Sequence, residues 1–166
     1  MLNRITEAGN TKKTNYYAFF DHRNADGWRQ NSRYYTNAGF GTITYKLTDK
    51  FSLTAEIMRS HIRSQQPGGL TDSLFNINAQ QSFRSRNWMD ITWTTAAIIA
   101  NYSFNDHQRL NIKAFTVLGD RNSVGYINAI TIKDSVNTTS GTLNNRTIDI
   151  DNYRNAGLEA RYLGDY

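Results

Sequence analysis

Period-two strand segments in this chain are joined alternately by very short turns and by long polar connections rich in arginine, and few folds accommodate that alternation. The short turns are Lys46-Leu47-Thr48-Asp49-Lys50-Phe51 and Phe104-Asn105-Asp106-His107-Gln108-Arg109, while residues 23–33, 63–90 and 120–153 form the long connections. Strands that run up and down with tight turns at one end and long loops at the other are the signature of a transmembrane β-barrel. The chain therefore has two unlike ends.

The alternation is clearest around the first short turn. Ile43, Tyr45, Leu47, Phe51, Leu53, Ala55 and Ile57 fall on one face, and Thr42, Thr44, Lys46, Ser52, Thr54 and Glu56 on the other. A second pair repeats the pattern, with Ala96, Ile98, Ala100, Tyr102, Phe104, Leu110, Ile112 and Ala114 against Asn101, Ser103, Asn111 and Lys113. The last segment sets Ala156, Leu158, Ala160 and Tyr162 against Asn155, Glu159 and Arg161. Around residues 16–21 both faces are aromatic, so the pattern leaves the inward side unassigned.

Six strands are expected, one from each of the segments 14–22, 34–47, 51–63, 91–104, 109–119 and 154–163. A strand over 91–104 would extend about 46 Å at roughly 3.3 Å per residue, or about 33 Å along a bilayer normal at a tilt of ~45°. That suits a membrane better than a sandwich, whose strands are usually shorter. Aromatic residues make up 13% of the chain while only 39% is hydrophobic and mean hydropathy is −0.64. Such a balance fits a thin apolar face anchored by rings, and Tyr45, Phe51, Tyr102 and Phe104 beside the short turns are the candidates for an interfacial girdle. The longest wholly aliphatic run, residues 96–100, is far short of the roughly 18 residues of a spanning helix.

Several chemistries are poorly supported. The chain has no cysteine, so disulfides and thiolate metal sites are excluded. His22, His61 and His107 lack metal-ligand spacing, Asp149 and Asp151 read as a solvated loop pair, and no Ser/His/Asp set has a nucleophile context. No catalytic residue, cofactor or metal is expected. The net charge of +5 could suggest nucleic acid, yet no recognition helix or RNA-binding signature accompanies it. Its arginines concentrate instead in the long connections and the strand ends beside them.

The connection after residue 63 contains Gln66-Pro67-Gly68-Gly69-Leu70-Thr71-Asp72, a loop corner without the Lys-Ser or Lys-Thr that a phosphate loop requires. Together with Asp26-Gly27-Trp28-Arg29-Gln30-Asn31-Ser32 before it and Asp151-Asn152-Tyr153-Arg154-Asn155 after it, this stretch resembles the barrel of TonB-dependent outer-membrane receptors, in the ferric dicitrate and siderophore branch. The resemblance covers most of the chain in order. It implies an all-β fold of six consecutive antiparallel strands from a barrel that has 22 strands and a plugged lumen in such transporters, with short periplasmic turns and long extracellular loops. Residues 1–166 would be one partial barrel domain without its plug.

The start Met1-Leu2-Asn3-Arg4 carries no apolar signal core, so the chain is expected to begin and end inside a longer polypeptide. The resemblance further implies an outer-membrane location, a ferric chelate as ligand, contact with membrane lipid and lipopolysaccharide, and coupling to TonB through parts outside this chain. It implies no enzyme activity. Guanidinium groups are forked, permanently charged donors suited to a carboxylate-rich iron chelate. Arg84, Arg86 and Arg121, placed where a strand pair meets the loops, are the expected ligand contacts. A porin-like or adhesin-like barrel segment, or a soluble β-sandwich, is the alternative.

Overall fold

The computed structural model describes residues 2–164. Seven strands form one antiparallel sheet in strict sequence order: β1 (Leu2–Asn10), β2 (Thr14–Ala25), β3 (Tyr34–Lys46), β4 (Phe51–Gln65), β5 (Trp88–Ser103), β6 (Gln108–Gly125) and β7 (Thr147–Gly164). A single six-residue helix, α1 (Asp72–Ile77), interrupts the connection between β4 and β5. Its N-cap is Thr71, whose hydroxyl accepts from the Leu74 N–H. No described strand lies outside this sheet, and no second sheet packs on it.

The expected count of six strands is corrected to seven. The additional strand, β1, reads Leu-Asn-Arg-Ile-Thr-Glu-Ala-Gly-Asn and has no apolar alternation to announce it. It forms because β2 offers it a full ladder, from Leu2 opposite Arg23 to Asn10 opposite Asn15. The turn between them is closed by the Thr11 hydroxyl, which accepts from the Thr14 N–H at 3.0 Å. Three short turns, not two, therefore sit at one end of the sheet.

Strands β5, β6 and β7 also run further toward the long loops than hydrophobic alternation indicates. Their extra residues mix apolar ones, such as Trp88, Val124, Ile148 and Ile150, with polar ones, and polar pairs join the strands there: Arg154 to Asp120 at 2.9 Å, Arg121 to Asp151 at 2.9 Å and the Ser123 hydroxyl to Asp149 at 3.1 Å. Cross-strand polar pairs extend a ladder that apolar periodicity cannot reveal.

Each ladder steps without interruption, so directly paired residues share a face. Pairing Ile43 with Ala55, Ala55 with Ile98, Ile98 with Ala114 and Ala114 with Leu158 carries one apolar row across five strands. The same register settles β2: Tyr16, Ala18 and Phe20 join the Ile43 face, while Tyr17 and Phe19 lie on the other with Phe40. Three of the four rings expected beside the short turns touch one another, Phe51 to Tyr102 with centroids at 6.3 Å and Tyr102 to Phe104 at 4.8 Å, while Tyr45 is not part of these contacts.

No hydrophobic residue among those described is buried. Leu158 is 77% exposed and Ile57 and Ile98 are each 56% exposed. A sheet of this size with no core must place its apolar face against something other than itself.

On the opposite face, large rings fold over small partners. Trp93 pairs with Gly119, and Phe115 with Gly157, and each ring lies where a β-carbon on the glycine would be. Trp93 also stacks on Tyr153, with ring centroids 5.4 Å apart.

Candidate functional site

The long connections, residues 26–33, 66–87 and 126–146, all leave the end of the sheet away from the short turns. They are welded into one layer mainly by arginines. Arg29 donates from its two terminal nitrogens to the Gly68 and Gln81 carbonyls, each at 2.8 Å, and the Gln30 N–H donates to the Gln80 carbonyl at 2.9 Å, so the first loop is fixed to the second. The Pro67-Gly68 corner presents the first of these acceptors. Gly68 sits at φ +73°, a conformation glycine tolerates, and the Ser82 hydroxyl donates to the Pro67 carbonyl at 3.0 Å.

Arg84 joins the second loop to the third. Its guanidinium donates to the Ile132 carbonyl at 2.8 Å and to the Ala129 carbonyl at 3.1 Å, and lies 5.1 Å from the Tyr126 ring centroid. It is 5% exposed. Beside it, Asp134 has a fully buried carboxylate that accepts from Arg86 at 2.8 Å and also from Arg146, while its own N–H donates to the Phe83 carbonyl at 3.0 Å. Arg146 donates further to the Asn87 side chain at 2.9 Å.

Burial on its own would raise the pKa of the Asp134 carboxyl. The hydrogen bond from Arg86 and the positive charges of Arg146 and Arg86 outweigh that effect and hold it below the usual carboxylate range.

Arg84 and Arg86 thus lie together in the loop layer, and Arg121 does not join them. Arg121 projects from β6 and pairs with its direct cross-strand neighbour Asp151, with about two-fifths of its side chain exposed. Arg86 retains partial exposure, at 29% of its side chain. Asp134, Arg29 and Arg146 complete the network; the two arginines stand out in the sequence as loop arginines, but their partners and the role of Asp134 do not. Asp134 was discoverable only as an isolated carboxylate in a long, largely uncharged loop, and the acceptors of Arg29 and Arg84 are backbone carbonyls that any residue supplies.

On the Ile43 face, above its apolar rows, lies a cleft of about 420 Å³ whose lining includes His22, Arg33, Tyr35, Arg63 and Trp88. The Arg63 guanidinium lies 5.1 Å from the Trp88 ring centroid. The His61 Nε2–H donates to the Asp90 carboxylate at 3.0 Å, and the ring meets Tyr35 edge-on at 5.4 Å. Among the described residues no three His, Asp or Glu side chains gather as a metal site.

The sequence matches no protein-family model and no curated protein. Its structure is similar to the crystal structure of the ferric citrate transporter FecA in the unliganded form, with a TM-score of 0.82 at 15% identity. The match covers 97% of this chain and 22% of that chain, so the present sheet spans about a fifth of the transporter's length. The chain has the open, all-β antiparallel fold of one part of that transporter.

Proposed function

We propose that this chain is a stretch of wall from a TonB-dependent outer-membrane transporter for a ferric chelate, ferric citrate being the first candidate. It is a transport component and not an enzyme. The observation that carries this reading is the vertical order of the Ile43 face. Phe51, Tyr102, Leu110 and Tyr162 form one paired row beside the short turns, and eight residues further along each strand Arg59, Thr94, Leu118 and Arg154 form another. Eight residues at roughly 3.3 Å and a tilt of ~45° separate those rows by about 19 Å. Adding the reach of the arginine side chains brings this near the ~25 Å apolar band of outer-membrane barrels.

Between the two rows, outward positions of β2 to β7 are almost all apolar or small. Glu7, on the edge strand β1, is the one outward carboxylate there among the described residues, and it stands in the row of Ala18, Gly41, Ile57 and Ala96, one outward position below the Arg59 row. The short turns then face the periplasm and the arginine-braced loops the exterior. In this reading the plug and the segment that contacts TonB belong to other parts of the polypeptide, and further strands continue from β1 and β7.

The three arginines divide the work. Arg86 and Arg121 keep exposed donors that can turn to chelate carboxylates, and Arg84 positions the loop layer from within. In the full-length protein, changing Arg84, Arg86 and Arg121 together to Ala should abolish uptake of ferric citrate under iron limitation without reducing surface expression. Uptake that persists in a strain lacking TonB would reject the transporter reading; uptake unchanged in the triple variant would reject only the site.

A further inference from the structure

We propose that the loop layer over this part of the sheet is a fixed rim: residues 26–33, 66–87 and 126–134 keep one arrangement while the chelate binds and leaves, and movement of the outer loops in this sector is confined to residues 135–145. The inference rests on the transporter reading and adds to it how the exterior behaves during the cycle. It begins with the kind of bond that joins the loops.

Most of those bonds have a backbone group at one end. The Arg84 guanidinium is shared among the carbonyls of Asn128, Ala129 and Ile132, and the Tyr126 N–H donates to the Asn87 side chain at 2.9 Å. A backbone carbonyl has no rotamer to change, so parting the second loop from the third requires the chain itself to move. Parting would also leave the buried Arg84 and the buried Asp134 carboxylate without their partners. The same seam is closely packed, since a β-carbon on Gly69 would lie 3.6 Å from the Ile130 side chain.

A ligand turns a 1:99 population into 99:1 only by favouring one state about 10⁴-fold. Arg86 already presents its free donors in the joined arrangement, so a chelate that meets it gains nothing from opening the layer. The rim therefore stays as it is.

The rest of the third loop is built differently. Asp134 and Arg146 are bonded to each other and close the neck of the segment between them. Beyond that neck, Val136 bridges to Leu143, the Asn137 N–H donates to the Thr142 carbonyl at 2.8 Å, and the Asn144 side chain donates to the Ser135 carbonyl at 3.1 Å. Among the described residues every hydrogen bond of this small hairpin stays within it, and almost all of it is exposed. It can tilt about the neck without breaking a bond to the rim.

The test uses the full-length protein in outer-membrane vesicles, with ferric citrate as the probe. Gly69→Cys and Ile130→Cys are bridged across the seam by a short bifunctional thiol reagent, and bridging should leave ferric citrate uptake unchanged. Spin labels on Asn76→Cys and Ile127→Cys, in the second and third loops, should keep their separation to within about 2 Å when ferric citrate binds. Labels on Asn76→Cys and Thr139→Cys should give a broader distance distribution than the first pair. Arg84→Ala should broaden the first pair as well, and free guanidinium ion at sub-denaturing concentration should narrow it again by refilling the carbonyl-lined space. Loss of uptake on bridging, a larger ligand-dependent shift between Asn76 and Ile127, or unchanged spacing in Arg84→Ala overturns the fixed rim and leaves the transporter reading intact. A distribution to Thr139 as narrow as that to Ile127 overturns the assignment of movement to the hairpin. Unbridged protein that neither binds nor takes up ferric citrate overturns the transporter reading and this inference with it.

Discussion

Asp134 accepts a hydrogen bond from Arg86 at 2.8 Å across 48 residues of sequence, and that contact turns two separate loops into one surface. The carboxylate has no exposure of its own and holds Arg146 as well. Removing it would leave two guanidinium groups partly buried without a counter-charge, and breaking a buried pair costs far more than the pair contributes on the surface.

Asp134→Ala should therefore release residues 126–146 from the second loop, with a local cost of about 3 to 5 kcal/mol. Hydrogen exchange across that loop is the measurement, and β3 to β6 should keep their protection. Equal loss of protection in the strands would show that the loop layer and the sheet unfold as one unit.

The same pairing sets a pH dependence. Because the folded-state pKa of Asp134 lies below its ordinary value, its contribution is complete above the unfolded carboxylate pKa of about 3.9 and is lost as pH falls through the folded value. The spacing between spin labels on the second and third loops should stay constant from neutral pH down to about 5 and widen only in the acid range below about 4. Widening near pH 6 would assign the latch to a histidine instead.

Face assignment can be tested by one-residue neighbours. Ile98 lies on the apolar face with Leu158, while Ile99 pairs with Thr54 and Lys113 on the other. If the sheet is part of an outer-membrane barrel as proposed, Ile98→Arg should cost about 2 to 4 kcal/mol and block assembly, the cost of an arginine on the lipid face at mid-depth. Ile99→Arg should assemble, as judged by heat-modifiable migration of the full-length protein. The reverse order would turn the sheet inside out.

Gly119 and Gly157 are required where Trp93 and Phe115 fold onto them. Gly119→Ala should destabilise by about 1 to 3 kcal/mol through displacement of the indole. Combined with Trp93→Ala the effect should be less than additive, since the clash disappears with the ring. Full additivity in that cycle would mean the two residues do not interact.

How much of this was readable from sequence varies along the chain. Where one face is apolar and the other polar, as from Ile43 through Ile57, alternation fixed both the strand and its face. Around Tyr16 to Phe20 rings occupy both faces, and only the pairing of Tyr16 with Ile43 decided between them. β1 was silent because its residues carry no pattern and its backbone bonds come from β2. The loop arginines were visible as residue types and as a location, but their partners were not. Arg84 looked free for a ligand because the carbonyls of Asn128, Ala129 and Ile132 that take up its donors have no signature in side-chain chemistry.

The sequence by itself determined the all-β character, the position of most strands, the short-turn and long-loop ends, and the identity of the apolar face. Each of these depends on local spacing: a period of two, a turn of a few residues, a ring at a fixed offset from a turn. The tertiary structure alone decided the seventh strand, the length of the upper strands, the joining of three loops through Arg29, Arg84 and Asp134, and the basic cleft above the apolar rows. These depend on which backbone groups and charges meet across tens of residues, and such meetings are set by register between strands, which no single stretch of sequence contains.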